Sequence, residues 1–294
     1  ELTRLADIDA ITVCADAAAF IDELLRRFGD RPLDTSRQSA WRMHCEQLRA
    51  TWPLVGPEHA DRGGFINSYR FIDRLCDWLK PDQHIVTDMG TALLSGHEAL
   101  RLQAGQRLMT STGLGEMGYG LPGAIGASFA RDRGEVLCLN CDGGMMLNLQ
   151  ELQTVVHHQL PIKIIIFSND GYLMIKHTQK NLLAGRYTGV DAHSGVSCPD
   201  FGKLSAAFGL PYCAIRHQDD VEAAIRVLQA ATGPMVCEVF MDPEQPFQPK
   251  VSLAMDQNGR IVSPPLEDTS PLLPRDELAR RMLIGLHPKS IDLG

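Results

Sequence analysis

The chain has 294 residues, 44% of them hydrophobic, and a formal net charge of −8 at pH 7. That length and apolar content can bury a large core and exclude a disordered chain. The negative balance, without any Lys/Arg run interleaved with aromatics, argues against nucleic acid as a partner.

Residues 4–9 read as a short strand and 16–27 as an amphipathic helix, too little to close a domain. A polar helix over 36–51 is followed by Pro53, Gly56, Pro57, Gly63 and Gly64, which punctuate rather than pack, and 31–63 reads as a linker. From Phe65 the pattern alternates. A helix over 68–79 leads to a strand over 84–87, glycines at Gly90 and Gly96, a short strand over 107–109 and a glycine-rich entry to a helix over 121–130. A strand over 135–141, a helix over 148–158 and a strand over 162–168 follow, then helices over 200–208 and 221–231 and a strand over 235–240. This alternation predicts an α/β fold over 64–242, a doubly wound, mostly parallel sheet with helices on both faces. Beyond Asp242, prolines 243, 246, 249, 264 and 265 and a late helix over 275–284 predict a tail draped over a surface.

The longest apolar stretch, near 162–167, falls far short of the roughly 20 residues of a membrane span, and no charged-then-apolar leader opens the sequence. Eight cysteines lack framework spacing, which fits reduced thiols in the cytoplasm. The one CxxC, Cys138 and Cys141, falls within a strand, where residues three apart point to opposite faces, so neither a metal knuckle nor a redox pair is expected.

Asp142 ends one apolar strand and Asn169 ends the next, 27 positions later and just ahead of Gly171. Mg²⁺ takes about six oxygens, supplied by few carboxylates, neutral oxygens and a ligand's phosphates. Asp142, the Asn169 amide oxygen and the Gly171 carbonyl supply such a set. A right-handed crossover brings the loops after two parallel strands to the same sheet edge, where ligands bind. Gly143 and Gly144 carry no Cβ and let their amides approach an anion closely. A helix expected from Asn148 as N-cap, with Glu151 at its third position and Leu149, Leu152 and Val156 at helical spacing, adds its positive end. A phosphate is the expected occupant.

The run Cys141-Asp142-Gly143-Gly144, followed by Asn169-Asp170-Gly171-Tyr172, resembles the thiamine diphosphate signature of the acetohydroxyacid (acetolactate) synthase and pyruvate decarboxylase superfamily. The run TGLGEMGYGLPGAIGA over 112–127 is similar to the glycine-rich stretch of acetohydroxyacid synthases, and 148–169 to their helix and following strand. The resemblance covers most of the chain, implies that 1–30 is the C-terminal remnant of the family's middle α/β domain, and places the chain in the C-terminal portion of a longer polypeptide. One departure stands at Cys141, where the family usually has Gly.

The resemblance implies thiamine diphosphate and Mg²⁺ as cofactors, with a flavin in the remaining portion left open. It implies that Met117 props the cofactor into a bent form that brings its 4′-amino group against C2, that the Gly115 carbonyl accepts from that amino group, and that Gly90 and Thr91 belong to an upstream diphosphate loop. Met117 also reads as an ordinary core methionine, and Gly90-Thr91 as a structural turn. The carboxylate needed at the aminopyrimidine N1′ has no match here. In the family it comes from an N-terminal domain of the neighbouring subunit, which implies a homo-oligomer. Glu116 is expected to point elsewhere, because Met117 beside it must face the ring.

The implied activity is decarboxylation of a 2-oxo acid with carboligation. Simple decarboxylation, or a non-catalytic cofactor-binding subunit, stands as the alternative. The segment 172–186, with Met174, Ile175, His177 and Gln179, is expected to select the substrate. Acetohydroxyacid synthases carry Gln-Trp-Gln where this chain has His177-Thr178-Gln179, and pyruvate-type decarboxylases a Glu where it has Ile175. Lys176, His177 and Arg186 read either as donors to an acidic or sugar-like substrate or as solvated helix-face residues. His157 and His158 complement a helix dipole. Gly113, Gly115 and Gly118 also satisfy G-x-G-x-x-G, with Asp142 as a ribose-binding acid, but a nicotinamide reading leaves Gly143, Gly144 and Asn169 without a purpose.

Overall fold

A computed structural model describes residues 11–29, 34–256 and 258–293. The chain forms two compact units, Glu1–Pro53 and Leu54–Gly294. The strand expected over 4–9 lies outside the described residues. The first unit carries helix α1, Ala17–Phe28, and helix α2, Ser36–Thr51. Asp16 caps α1 by accepting from the Ala18 and Ala19 amides, which satisfies two otherwise orphaned donors.

The second unit opens with α3, Ser68–Cys76, capped by Asn67, and then alternates. In order come β1, His84–Thr87; α4, Thr91–Ala99; β2, Arg107–Met109; α5, Gly120–Phe129; β3, Val136–Cys141; and the one-turn α6, Asp142–Met145. A 3₁₀ turn over Leu149–Glu151 leads into α7, Leu152–His157, followed by β4, Ile162–Ser168; α8, Leu173–Leu182; α9, Phe201–Ala207; β5, Tyr212–Ile215; α10, Asp220–Ala230; and β6, Met235–Phe240. The six strands form one sheet in the order β2-β1-β3-β4-β6-β5, every neighbouring pair parallel.

Both faces of the sheet are covered, so its central strands read as continuous apolar runs. Alternate residues divide between two cores. Leu137, Leu139, Cys141, Ile165 and Phe167 pack with α3, α4 and α10 on one face. Cys138, Ile162, Ile164 and Ile166 pack with α5, α7 and α9 on the other. Cys138 and Cys141 thus sit in different cores, as the two-residue strand period requires. Lys163 interrupts β4 without harm because its ammonium reaches the sheet's lower edge and donates to the carbonyls of Ala231, at 2.7 Å, and Gly233.

The tail is more embedded than its prolines suggest. Gln245 and Phe247 are buried, and the Gln245 amide nitrogen donates to the Ser68 hydroxyl at 2.7 Å. The hairpin β7, Ala254–Met255, with β8, Ile261–Val262, and the helices α11, Arg275–Arg281, and α12, Pro288–Ile291, complete it. Among the described residues no helix is long and apolar enough to cross a membrane.

Candidate active site

The parallel register sets Cys141 of β3 opposite Phe167 of β4, so the loops that follow these strands leave the sheet side by side. Asp142 and Asn169 meet there. The Asp142 Oδ2 accepts from the Asn169 amide at 2.8 Å and from the Gly171 amide at 3.1 Å, and its Oδ1 from the Gly143 amide at 2.8 Å. The carboxyl is fully buried. Burial pushes its pKa up to about 6 despite the amide hydrogen bonds, which pull the other way.

Asn169 is the second half of the arrangement. Its Nδ2 donates to the Thr91 hydroxyl at 3.2 Å and contacts the Met241 sulfur at 3.7 Å. Its Oδ1 is buried and has no hydrogen-bond partner. A buried amide oxygen left unpaired costs about 1–3 kcal/mol, so its orientation needs a reason. A cation supplies one. The three amides on Asp142 leave one of the carboxylate's roughly four lone-pair directions, so the donor set fits a hard, oxygen-seeking ion such as Mg²⁺.

A cleft opens over these residues, lined by Met89, Gly90, Thr91, Met117, Cys141, Gly143, Gly144, Asn169, Gly171 and Tyr172, and walled by Leu173, Met174 and Ile175. The glycines of 143–144 make room chiefly for protein atoms. A Cβ on Gly143 would lie 2.5 Å from the Tyr172 ring, and one on Gly144 would strike the Asp88 carboxylate and come within 2.8 Å of the Asn140 side-chain oxygen. The Gly143 amide turns to Asp142 and does not face outward, contrary to the sequence expectation for an anion-facing donor.

The helix expected to start at Asn148 also differs. Asn148 provides no side-chain cap; its amide nitrogen instead donates to the Gly118 carbonyl, 30 residues away, and ties down the glycine-rich segment. The Glu151 carboxylate accepts from Thr154 and does not reach back to the Asn148 amide. Regular helix begins only at Leu152, and the first turn after β3 is α6.

Asp88 is the organising residue that sequence reasoning left without a role. It follows β1, is buried, and accepts from the Gly118 amide at 2.8 Å and the Gly120 amide at 3.2 Å. Burial holds its carboxyl above the ordinary range against those hydrogen bonds. Its signal was an acid at a strand's end ahead of a glycine turn. Gly90, at φ +79°, is where α4 begins. The Cys141 thiol packs beneath this turn, donating to the Met89 carbonyl and accepting from the Ala92 amide, so the unusual cysteine braces the loop.

Met117 is 40% exposed and lines the cleft. Gly115 does not line it; a Cβ there would run into the Met89 methyl. Glu116 is turned to the Ser111 hydroxyl at 2.6 Å.

The substrate segment divides. Leu173, Met174 and Ile175 face the cleft, whereas Gln179 clasps Thr188 through both its amide atoms at 3.0 and 2.9 Å. Lys176 is held by Glu244 at 2.7 Å and Asp191 at 3.4 Å, and Arg186 is exposed, donating to the Leu183 carbonyl. His177 faces the tail, its ring 5.5 Å from Phe247. The dinucleotide alternative loses its acid, since the Asp142 carboxylate is buried and held by backbone amides.

An open parallel sheet with a glycine-lined cleft at its carboxyl edge, and beside it oxygen donors that fit a hard ion, has the architecture of the doubly wound nucleotide- and coenzyme-binding class. Residues 88–239 match the family model "Thiamine pyrophosphate enzyme, C-terminal TPP binding domain", and the chain belongs to the thiamine pyrophosphate enzyme family. It is 34% identical over 216 residues to the acetolactate synthase isozyme 2 large subunit of Escherichia coli, a match covering 73% of this chain and 38% of that protein. Against the mitochondrial acetolactate synthase catalytic subunit of Aspergillus candidus it is 28% identical over 278 residues, covering 94% and 39%. The chain therefore spans about two fifths of the length of the curated relatives it matches. Among solved structures, the thiamine diphosphate-dependent 4-hydroxybenzoylformate decarboxylase of Rhodococcus jostii RHA1 shares the fold, with a TM-score of 0.57 and 23% identity over 65% of this chain and 36% of that one.

Proposed function

We propose that the full-length protein is a thiamine diphosphate- and Mg²⁺-dependent carboligase that removes CO₂ from a 2-oxo acid and joins the remaining acyl unit to a second carbonyl compound. The bound cofactor supplies the carbanion chemistry. This chain's residues hold and shape the site. Asp142, Asn169 and the Gly171 carbonyl take the ion, and Thr91 fixes the Asn169 amide so that its oxygen is left free. Gly90, Gly143, Gly144 and Tyr172 wall the diphosphate end, while Met117, which lines the cleft, sets the ring geometry. The relatives named acetolactate synthase support this reading.

One observation favours joining over simple release of an aldehyde. Among the described residues lining the cleft there is no Asp, Glu, His, Lys or Arg. Aldehyde release needs a proton delivered to the acyl carbon, and the wall of Leu173, Met174 and Ile175 carries no such donor. The remaining carboxylate, at N1′, is assigned to a second copy's N-terminal domain. The mouth supports such a cover: Leu114, three residues before Met117, is 90% exposed, and Ile175 is 41% exposed. We place the homo-oligomer in the cytoplasm, where its thiols stay reduced.

The test is a panel of 2-oxo acids given to the full-length protein with and without added aldehydes, the products being trapped and identified. Joined products should dominate when an acceptor is present, and Ile175→Glu should raise the aldehyde share. Aldehyde as the sole product under all conditions would refute carboligation.

A further inference from the structure

A second cavity adjoins the cleft. It lies between α8 and the tail segment 250–254, measures about 290 Å³, and shares Met174 with the cleft, so the two spaces meet at that side chain. That volume stands near the lower end of the range typical of small-molecule sites.

The chemistry of its lining differs from that of the cleft. Thr178, Asn181 and Ser252 bring hydroxyl and amide groups, His177 an imidazole and Lys250 an ammonium, and among the described residues no Asp or Glu lines it. Of the cations nearby, Lys176 and Lys180 are both held by Glu244, at 2.7 and 3.2 Å. Lys250 forms no ion pair among the described residues; its ammonium lies 6.0 Å from the centre of the Phe247 ring. Burial lowers its pKa, opposed by the charge of Glu98. Burial, with Lys250 next in effect, lowers the His177 pKa to about 4. The imidazole is therefore neutral at physiological pH and offers one donor and one acceptor.

We infer that this cavity is the acceptor subsite and that it takes a polyhydroxylated carbonyl compound bearing an anionic group, a sugar phosphate in chemical class. The inference rests on the carboligase reading above. Hydroxyls pair with His177, Thr178, Asn181 and Ser252, the anion with Lys250, and the carbonyl end reaches the cleft past Met174. The sequence pointed to Lys176 and Arg186 for such a role, but the structure commits Lys176 elsewhere and brings the cation from the tail.

The experiment uses the full-length protein with Mg²⁺ and thiamine diphosphate and measures binding by calorimetry. The probes are D-ribose 5-phosphate, D-ribose, inorganic phosphate and 2-oxobutyrate. Ribose 5-phosphate should bind at least tenfold more tightly than each of the others. Lys250→Met should bring its affinity down to that of ribose, and Lys250→Arg, which keeps the charge, should retain most of it. Thermal unfolding confirms that both variants fold. Ribose 5-phosphate no tighter than ribose, inorganic phosphate as tight as ribose 5-phosphate, or Lys250→Met without effect would each overturn the subsite. Failure of the wild type to take up thiamine diphosphate with Mg²⁺ would instead sink the cofactor reading beneath it, so the two failures are distinguishable.

Discussion

Asp142→Asn separates what the carboxylate costs the fold from what it does for the ion. Burial lifts its pKa from an ordinary 3.8 to about 6, which at pH 7.5 is a penalty on the order of 3 kcal/mol on the charged form. Asparagine removes that penalty. It keeps one oxygen to accept from the Asn169 and Gly171 amides, and its NH₂ must face the Gly143 amide, at a cost of roughly 1–3 kcal/mol. The apoprotein of this variant is therefore expected to be at least as stable as wild type, with a gain on the order of 1 kcal/mol. Asp142→Ala leaves the buried amides of Gly143, Asn169 and Gly171 unpaired and should lose about 3 kcal/mol or more. Urea unfolding of the full-length apoproteins measures both, and calorimetry should show Mg²⁺-dependent thiamine diphosphate binding lost in each. An Asn variant destabilised by more than about 2 kcal/mol would show that the charged form is needed by the fold itself. Retained binding would show that the carboxylate is no metal ligand.

Other predictions follow from the same geometry. The folded Asp142 carboxyl holds its proton up to about pH 6 while the unfolded one releases it near 3.8, so its contribution to apo stability falls as pH rises across that window. The stability advantage of Asp142→Asn should accordingly shrink between pH 6.5 and 4.5, and a constant difference would contradict the assignment. Thr91→Val removes the acceptor that orients the Asn169 amide and should weaken Mg²⁺-dependent cofactor binding about tenfold; unchanged affinity by calorimetry would mean the hydroxyl does no positioning. Met117→Ala should slow exchange of the cofactor C2 proton at least tenfold, read by NMR, with little change in cofactor affinity. An unaltered exchange rate would leave Met117 as ordinary packing.

The strands over 84–87, 162–168 and 235–240 were legible in the sequence because a sheet covered on both faces demands largely apolar runs rich in β-branched residues. Asp142 and Asn169 were legible for the same reason, standing where those runs stop. What escaped was set by tertiary contacts. Helix Thr91–Ala99 carries Gly96 and little amphipathic pattern, so Gly90 and Gly96 read as punctuation. The edge strand Tyr212–Ile215 is too short to show a period. Asn148 had the composition of a cap, but its amide found a better partner in the Gly118 carbonyl. Local spacing could not show that Lys176 would meet Glu244 of the tail, or that Gln179 would clasp Thr188, since both pairings depend on how the chain returns over α8. Asp88 hid in plain view, because an acid after a strand tells nothing of the two glycine amides it will accept 30 and 32 residues later.

The most direct measurement is a crystal structure of the full-length protein with Mn²⁺ in place of Mg²⁺ and thiamine diphosphate, the ion being located by its anomalous signal. A peak is expected roughly 2 Å from an Asp142 carboxylate oxygen, the Asn169 Oδ1 and the Gly171 carbonyl, with diphosphate oxygens completing the shell. A cofactor bound with its ion elsewhere, and the Asn169 Oδ1 still without a partner, would contradict it.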